Sequence, residues 1–229
     1  MRDDSGVIRS EYADARRLEV RMAIYSRAAD AALDAVVEAS PAHVLDAGAG
    51  SGEFGLRVAA TGASVTAVDS EPAMVARAHG AGLEATVANA RSLPFPDGAF
   101  DCVVANWMLY HVAGRDRALA EMARVLRHDG RLVAATFSER NLGELWDALG
   151  DDTPRAHGFT AENGAAQLRR RFAQVEERHV EWPIEFVDRA QLQAIVGATI
   201  RRSHLAAGVL QLAMPFTATA RHAIFVAAL

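Results

Sequence analysis

Val44-Leu45-Asp46-Ala47-Gly48-Ala49-Gly50-Ser51-Gly52 is the stretch whose reading decides the fold. With His43, its first residues read as a short strand. Ala47 to Gly52 is a glycine-rich turn, and Glu53 to Thr61 is a helix with Phe54, Leu56, Val58 and Ala59 apolar. Glycines at a strand-to-helix turn let a ligand approach the backbone, and a helix start offers N–H groups to an anion. The next strand, Val65 to Asp69, also ends in a carboxylate. Such a group can accept two hydrogen bonds from a ribose diol.

Working outward, strand and helix alternate. A helix over residues 11–39 carries Leu18, Met22, Tyr25, Ala29, Leu33 and Val36 at steps of three or four. Ser40-Pro41 ends it, because the residue before proline avoids the helical region. After the second strand come a helix from Glu71 to Gly80, with Pro72 in its first turn, and a strand from Leu83 to Ala88. Phe100 to Ala105 is a fourth strand, apolar enough to be covered on both faces. Arg115 to Arg127 is helical, Asp129-Gly130 is a turn, and Arg131 to Phe137 is a fifth strand. This order predicts a parallel, doubly wound sheet. Beyond Ser138 the pattern predicts helices near 141–149, 161–171 and 188–201, and strands near 174–182 and 222–228. Residues 203–220 lack formal charge and read as a buried stretch. The chain divides into an N-terminal helical cap (1–40), the sheet, and a helical insertion (139–172) of the kind that shapes a substrate pocket.

The 229 residues suit a single domain, and 51% hydrophobic against 23% charged residues can bury a core. The net charge of −5 does not advertise a nucleic-acid surface. All 24 basic residues are arginine. That excludes chemistry needing a lysine amine, such as Schiff-base or Walker-type phosphate sites. Cys102 is the one cysteine, so no intramolecular disulfide forms. The eight histidines show no metal-ligand spacing. Arg169-Arg170-Arg171, without an aromatic platform, reads as a charged helix face. No apolar run follows Met1, and no stretch is long and apolar enough for a membrane span. The expectation is a cytoplasmic protein with a small-molecule partner and neither nucleic acid nor membrane; its oligomeric state is left open.

Two cofactor readings compete. Gly50-x-Gly52-x-x-Gly55 matches the dinucleotide pattern GxGxxG, with Asp69 at a suitable distance. That motif wants its first glycine at the strand end, whereas Asp46 and Gly48 come first. An acidic side chain there faces a pyrophosphate poorly and suits a positive amine.

Five segments in order resemble class I S-adenosylmethionine-dependent methyltransferases. Val44 to Gly52 resembles the first motif and Val65 to Asp69 the second. Ala88-Asn89-Ala90-Arg91-Ser92-Leu93-Pro94-Phe95 resembles the adenine-side motif. Phe100 to Val112 resembles the fourth strand with its L-x-H-V element. Arg124 to Leu132 resembles the approach to strand five, with His128-Asp129-Gly130 in place of Pro-Gly-Gly. Phe159 to Gly164, with Leu168 and Phe172, resembles a bacterial subgroup acting on small molecules. The resemblance implies a Rossmann-like, seven-stranded, mostly parallel sheet with an antiparallel last strand and helices on both faces. Arg178–Trp182 and Ala223–Ala228 are then strands six and seven.

It implies S-adenosyl-L-methionine as cofactor and methyl transfer to a small metabolite through oxygen, nitrogen or carbon. A cofactor-binding protein of the same fold with another reaction, or a partner protein, is the alternative; a nicotinamide oxidoreductase is the third. Carried over residue by residue, Asp46 meets the cofactor's amino group, and the backbone of Ala47, Gly48, Ala49 and Gly50, with Gly52, lies under its methionine and ribose. Asp69 takes the diol. Ser70 and Met74 flank the adenine, whose edge meets Asn89, Ala90 and Arg91. The Asn89 amide oxygen stands where an aspartate often accepts from the adenine amine. Asn106 and Trp107 end strand four near the sulfonium. Tyr12 and Arg21 reach in from the N-terminal helix, and His111 is the candidate general base.

Overall fold

The structure is a computed structural model that describes residues 15–151 and 158–229. Helix α1 (Ala15–Glu38) precedes β1 (His43–Ala47), α2 (Glu53–Ala59), β2 (Ser64–Asp69), α3 (Pro72–Gly80), β3 (Glu84–Val87) and β4 (Phe100–Val104). A 3-10 turn (Leu109–His111) leads to α4 (Arg115–Val125) and β5 (Leu126–Phe137). Then come α5 (Gly143–Ala148), α6 (Gly164–Leu168), β6 (Gln174–Phe186), α7 (Arg189–Ala198), a run of 3-10 turns (Ile200–Gln211) and β7 (Phe216–Ala228).

The strands form one seven-stranded sheet in the order β3-β2-β1-β4-β5-β7-β6. The first five pair in parallel, and β7 runs antiparallel to both β5 and β6. This is the doubly wound sheet expected from the alternation. Side chains alternate across each strand, so each sheet face collects its own core. Leu45, Val103, Leu132 and Phe225 pack on one face against Leu119 and Met122 of α4 and Leu168 of α6. Val44, Val104, Val133 and Ile224 pack on the other against Ala32 and Val36 of α1, Val58 of α2 and Ala78 of α3. Beyond that face, Trp146, Trp182, Leu192, Val196 and Val209 form a further cluster.

Three expectations are corrected. Asp129-Gly130 is not a free turn but part of β5, and α4 stops at Val125. The ladder explains why: Phe100 pairs with Leu126, but Cys102 pairs with Arg131, so the intervening residues bulge out. The Asp101 carboxylate clamps this junction. It accepts from the Ala42 and His43 N–H groups at 3.0 and 2.8 Å and pairs with Arg127. Secondly, β6 and β7 are longer than predicted, because they zip together from Gln174↔Ala228 to Phe186↔Phe216. Thirdly, residues 203–220 are only partly buried: Ser203, His204 and Leu210 are exposed, while Val209, Ala218 and Ala220 are buried.

The bulge depends on close backbone approach at Gly130. A Cβ there would lie 2.9 Å from the Asp101 carbonyl oxygen and 3.0 Å from that of Arg127. Gly130→Ala is expected to lower unfolding free energy in urea titrations by about 1–3 kcal/mol. Gly80→Ala, where a Cβ meets nothing within 4 Å, stays within about 0.5 kcal/mol of the parent.

Candidate functional site

The strand order reverses between β1 and β4. In sheets of this kind ligands bind beyond the strand carboxyl ends at that point. The loop leaving β1 holds Gly48, Gly50 and Gly52 at φ of +75°, +56° and +86°, where a side chain would be strained. A Cβ on Gly48 would meet Met108 Cβ at 2.8 Å, and one on Gly52 would meet Leu83 Cδ1 at 2.8 Å. At Gly50 it would meet nothing within 4 Å. The loop is therefore packed at its flanks and open in the middle.

The loop amides correct one expectation. Gly48 and Ala49 donate to the Val68 carbonyl at 2.7 and 3.0 Å, and Gly52 donates to Ala49 O at 3.0 Å. Gly50 donates to Asp69 Oδ2 at 3.0 Å. These four amides are spent inside the protein and do not form a cradle for an anion. A pyrophosphate here would find carboxylates where it needs donors, and the GxGxxG reading loses its basis.

The carboxylates define the site's electrostatics. Asp46 is 3% exposed, and its Oδ2 has no hydrogen-bond partner. Burial, then the charge of Asp69, pushes its carboxyl up to about 7, and the Gly55 backbone N–H opposes this in part. Asp69 accepts from the N–H of Gly50 through Oδ2 and from that of Glu71 through Oδ1, the latter at 2.9 Å. Burial raises its carboxyl too, against those two bonds. A buried, unpaired carboxylate oxygen beside a second carboxylate is a place for a cation. Among the described residues no group of three metal-ligand side chains forms.

The other candidate residues differ in burial and bonding. Ala47 is buried at the end of β1. Ser70 is exposed just beyond Asp69, and Met74 of α3 is packed inward at 2% exposure. Asn89 is exposed, but its Oδ1 already accepts from Arg91 N at 2.9 Å and Arg91 Nε at 3.2 Å. This local turn occupies the oxygen expected to receive the adenine amine; Nδ2 and the Ala90 backbone remain. The Asn106 side-chain amide is buried with neither end paired. Trp107 takes a left-handed φ of +50°, which costs a bulky residue about 1–3 kcal/mol. His111 ends the 3-10 turn with its ring 4.2 Å from that of Tyr110, whose own ring lies 4.7 Å from Phe137 at the end of β5. Tyr12 lies outside the described residues. Arg21 falls within α1, in a stretch whose side chains are not described.

Sequence reasoning missed His222. It sits on β7 opposite Phe137, the last residue of β5. Trp107 Nε1–H donates to His222 Nδ1 at 3.2 Å, while His222 Nε2 is buried without a partner. Burial drives the imidazole down to about 3, so it is uncharged at neutral pH. Trp182 stacks on it at 5.3 Å, and Tyr25 of α1 meets it edge-on at 5.2 Å while stacking on Trp107 at 5.8 Å. The sequence held one signal: a histidine in the inward row Ala218, Ala220, His222, Ile224.

Residues 45–134 match the family model described as a methyltransferase domain. A demethylmenaquinone methyltransferase of Thermus thermophilus is 40% identical over 114 residues, 46% of this chain and 52% of its own length. A malonyl-acyl-carrier-protein O-methyltransferase of Methylococcus capsulatus is 37% identical over 139 residues, 56% of this chain and 48% of its own. The chain thus spans about half the length of these curated relatives. A solved S-adenosylmethionine-dependent methyltransferase of Thermotoga maritima superposes with a TM-score of 0.62 at 16% identity, covering 94% of this chain and 96% of its own. The cyclase SpnF superposes at 0.60 with 22% identity, covering 88% and 80%. The resemblance to class I S-adenosylmethionine-dependent methyltransferases extends from sequence motifs to fold. The matched segment ends before β7 and His222.

The Asp46 carboxyl, raised in the folded state, favours folding while both states are protonated. That advantage is lost as pH climbs from about 4, its unfolded value, through about 7. Asp46→Asn removes this slope. In thermal unfolding scans its Tm relative to the parent should rise between pH 4 and pH 8; a constant difference would refute the buried charge.

Proposed function

We propose that this chain transfers a methyl group from S-adenosylmethionine to a small-molecule acceptor. The observation that carries the reading is the unpaired Asp46 oxygen beside Asp69, in a loop whose amides are already bonded. Such a cradle selects a cationic, phosphate-free nucleoside over a dinucleotide. When bound, the cofactor supplies a methyl carbon made electrophilic by a cationic sulfur. Asp46 offers its free oxygen to the amino group. The remaining lone pairs of Asp69 take the ribose hydroxyls, since each carboxylate oxygen accepts more than one bond. Gly50 leaves room above the loop, with Gly48 and Ala49 beneath the same groups. Ser70, Met74, Ala90 and the Arg91 backbone border the adenine, Asn89 through Nδ2. Asn106 brings an unpaired amide to the end of β4.

Displacement needs the acceptor atom in line with the transferred carbon and away from water. In this reading that shielding falls to the N-terminal cap and the 139–172 insertion. His111 takes the proton an oxygen or nitrogen acceptor releases. The relative named for demethylmenaquinone supports a small acceptor as a class. Among the described residues no helix is long and apolar enough to cross a membrane.

Isothermal titration should detect S-adenosylmethionine and not NADH. At a hundredfold excess over Kd the cofactor adds about 2.7 kcal/mol of stability. Asp69→Ala should weaken its binding by roughly tenfold or more; unchanged affinity would sink the assignment. Affinity should also climb from about pH 5.5 to about pH 7 in the parent and stay flat in Asp46→Asn. Labelled-methyl transfer into metabolite extracts then separates a methyltransferase from a cofactor-binding protein of the same fold. His111→Ala with near-normal turnover would retire the base and leave the transfer reading intact.

A further inference from the structure

We propose that His222 is the hydrogen-bond donor of the acceptor subsite, presenting Nε2–H to an oxygen of an uncharged, planar acceptor. The word acceptor rests on the methyl-transfer reading above; the subsite itself rests on four observations.

The first is the tautomer. An indole N–H only donates, so the bond from Trp107 Nε1 requires a lone pair on His222 Nδ1. In a neutral imidazole the proton then lies on Nε2. The second is the orphan. That Nε2 is buried in a side chain only 1% exposed, and no group among the described residues accepts from it. Buried donors are almost always paired, and one left unpaired calls for a partner, which we take to be the guest. The third is the lining. Trp182 lies nearly parallel to the imidazole (16°), whereas Tyr25 and Trp107 stand at 75° and 80° to it. Flat, uncharged walls suit a flat, uncharged guest. Arg221, next in sequence, is engaged by Glu144 at 2.7 Å and lies 3.8 Å from Glu181, so it offers no counter-charge for an anion.

The fourth observation is position. The Trp107 N–H donates to the Ala135 carbonyl of β5 at 2.8 Å, and His222 pairs with Phe137 at the end of the same strand. Both lie past β4, on the side of the strand-order reversal away from Asp46 and Asp69. The cationic ligand and the flat neutral one therefore occupy opposite sides of the β4 terminus, where Asn106 leaves its amide unpaired. The two walls Trp107 and Trp182 are fixed to the sheet. Tyr25, on α1, is the wall that must move aside to admit the guest. The Trp107–His222 bond also holds the indole at its left-handed backbone position, making His222 a positioning residue for that wall as well.

The test uses the full-length chain and three probes: 1-tetralone, whose oxygen only accepts; tetralin, the same skeleton without oxygen; and 1-naphthoate, an anion. Binding is followed by tryptophan quenching with S-adenosylhomocysteine present. The parent should prefer 1-tetralone to tetralin by about tenfold and bind 1-naphthoate most weakly. His222→Asn keeps an acceptor for Trp107 but has nothing at the Nε2 position, and it should lose the tetralone preference. His222→Gln restores an N–H near Nε2 and should retain most of it. The preference is a ratio of two affinities in one protein, so a general loss of stability does not move it. Equal affinities for tetralone and tetralin in the parent, no binding of either, or an unchanged ratio in a folded His222→Asn overturns the proposal. S-adenosylmethionine titrations on the same proteins keep the two readings apart. Cofactor binding without tetralone discrimination removes the subsite only. Discrimination without cofactor binding removes the methyl-transfer reading and leaves the subsite.

Discussion

A carboxylate held out of water with one oxygen unpaired is the constraint around which this molecule is organised. Asp46 occupies the inward row of β1 with Val44, and Gly55 of α2 lets the helix close over it: a Cβ there would press within 3.1 Å of Asp46 Oδ2. Burial of that charge next to Asp69 costs folding free energy at neutral pH. A hydrophobic residue would fill the row without that penalty. The arrangement makes physical sense when a cation completes it. The surrounding loop then has one task, which is to bring backbone close without competing for the charge. It does this by turning its amides onto Val68, Ala49 and Asp69. The same glycine spacing would hold a phosphate if its N–H groups were free; here they are bonded within the protein.

The other half of the cleft is built on the opposite principle. Beyond β4 the groups around Trp107 are aromatic, and the imidazole among them, His222, is held neutral by burial. The rim is also stiff. Trp107 is tied to β5 through its backbone and to β7 through its indole. The β4–β5 register is locked from below by Asp101, which gathers the start of β1 and the bulge of β5 into one cluster. An acidic half and a neutral half are thus separated by the β4 terminus.

What was legible in the sequence was local. The strand–glycine–helix passage of residues 43–59 and the strand-end acids could be read because each rests on a few consecutive residues. Asp129-Gly130 misled for the complementary reason. Turn chemistry is a local preference, and here the β4 register overrides it, absorbing both residues into a bulge. The direction of the loop amides was equally hidden, since Gly48 and Ala49 bond to Val68 on the neighbouring strand. The Asn89 oxygen was misjudged because its partners, though only two residues away, are set by turn geometry and not by residue type. His222 was out of reach because its partner Trp107 lies 115 residues earlier. A histidine among eight, in an alanine-rich strand, acquires meaning only when β5, β6 and β7 are laid side by side.

The division between legible and hidden also divides the chemistry. Residues 45–134 carry the half that resembles many proteins, and a fold shared by a methyltransferase and a cyclase does not choose a reaction. In the half built from α1, β6 and β7, Tyr25 stacks on Trp107 and meets His222, on which Trp182 stacks. Trp107 belongs to both halves. Its strained backbone follows directly on Asn106 at the end of β4, and its side chain is set by residues far along the chain. A change in β7 therefore reaches the β4 terminus through that indole, and the strain at Trp107 marks where the two halves meet.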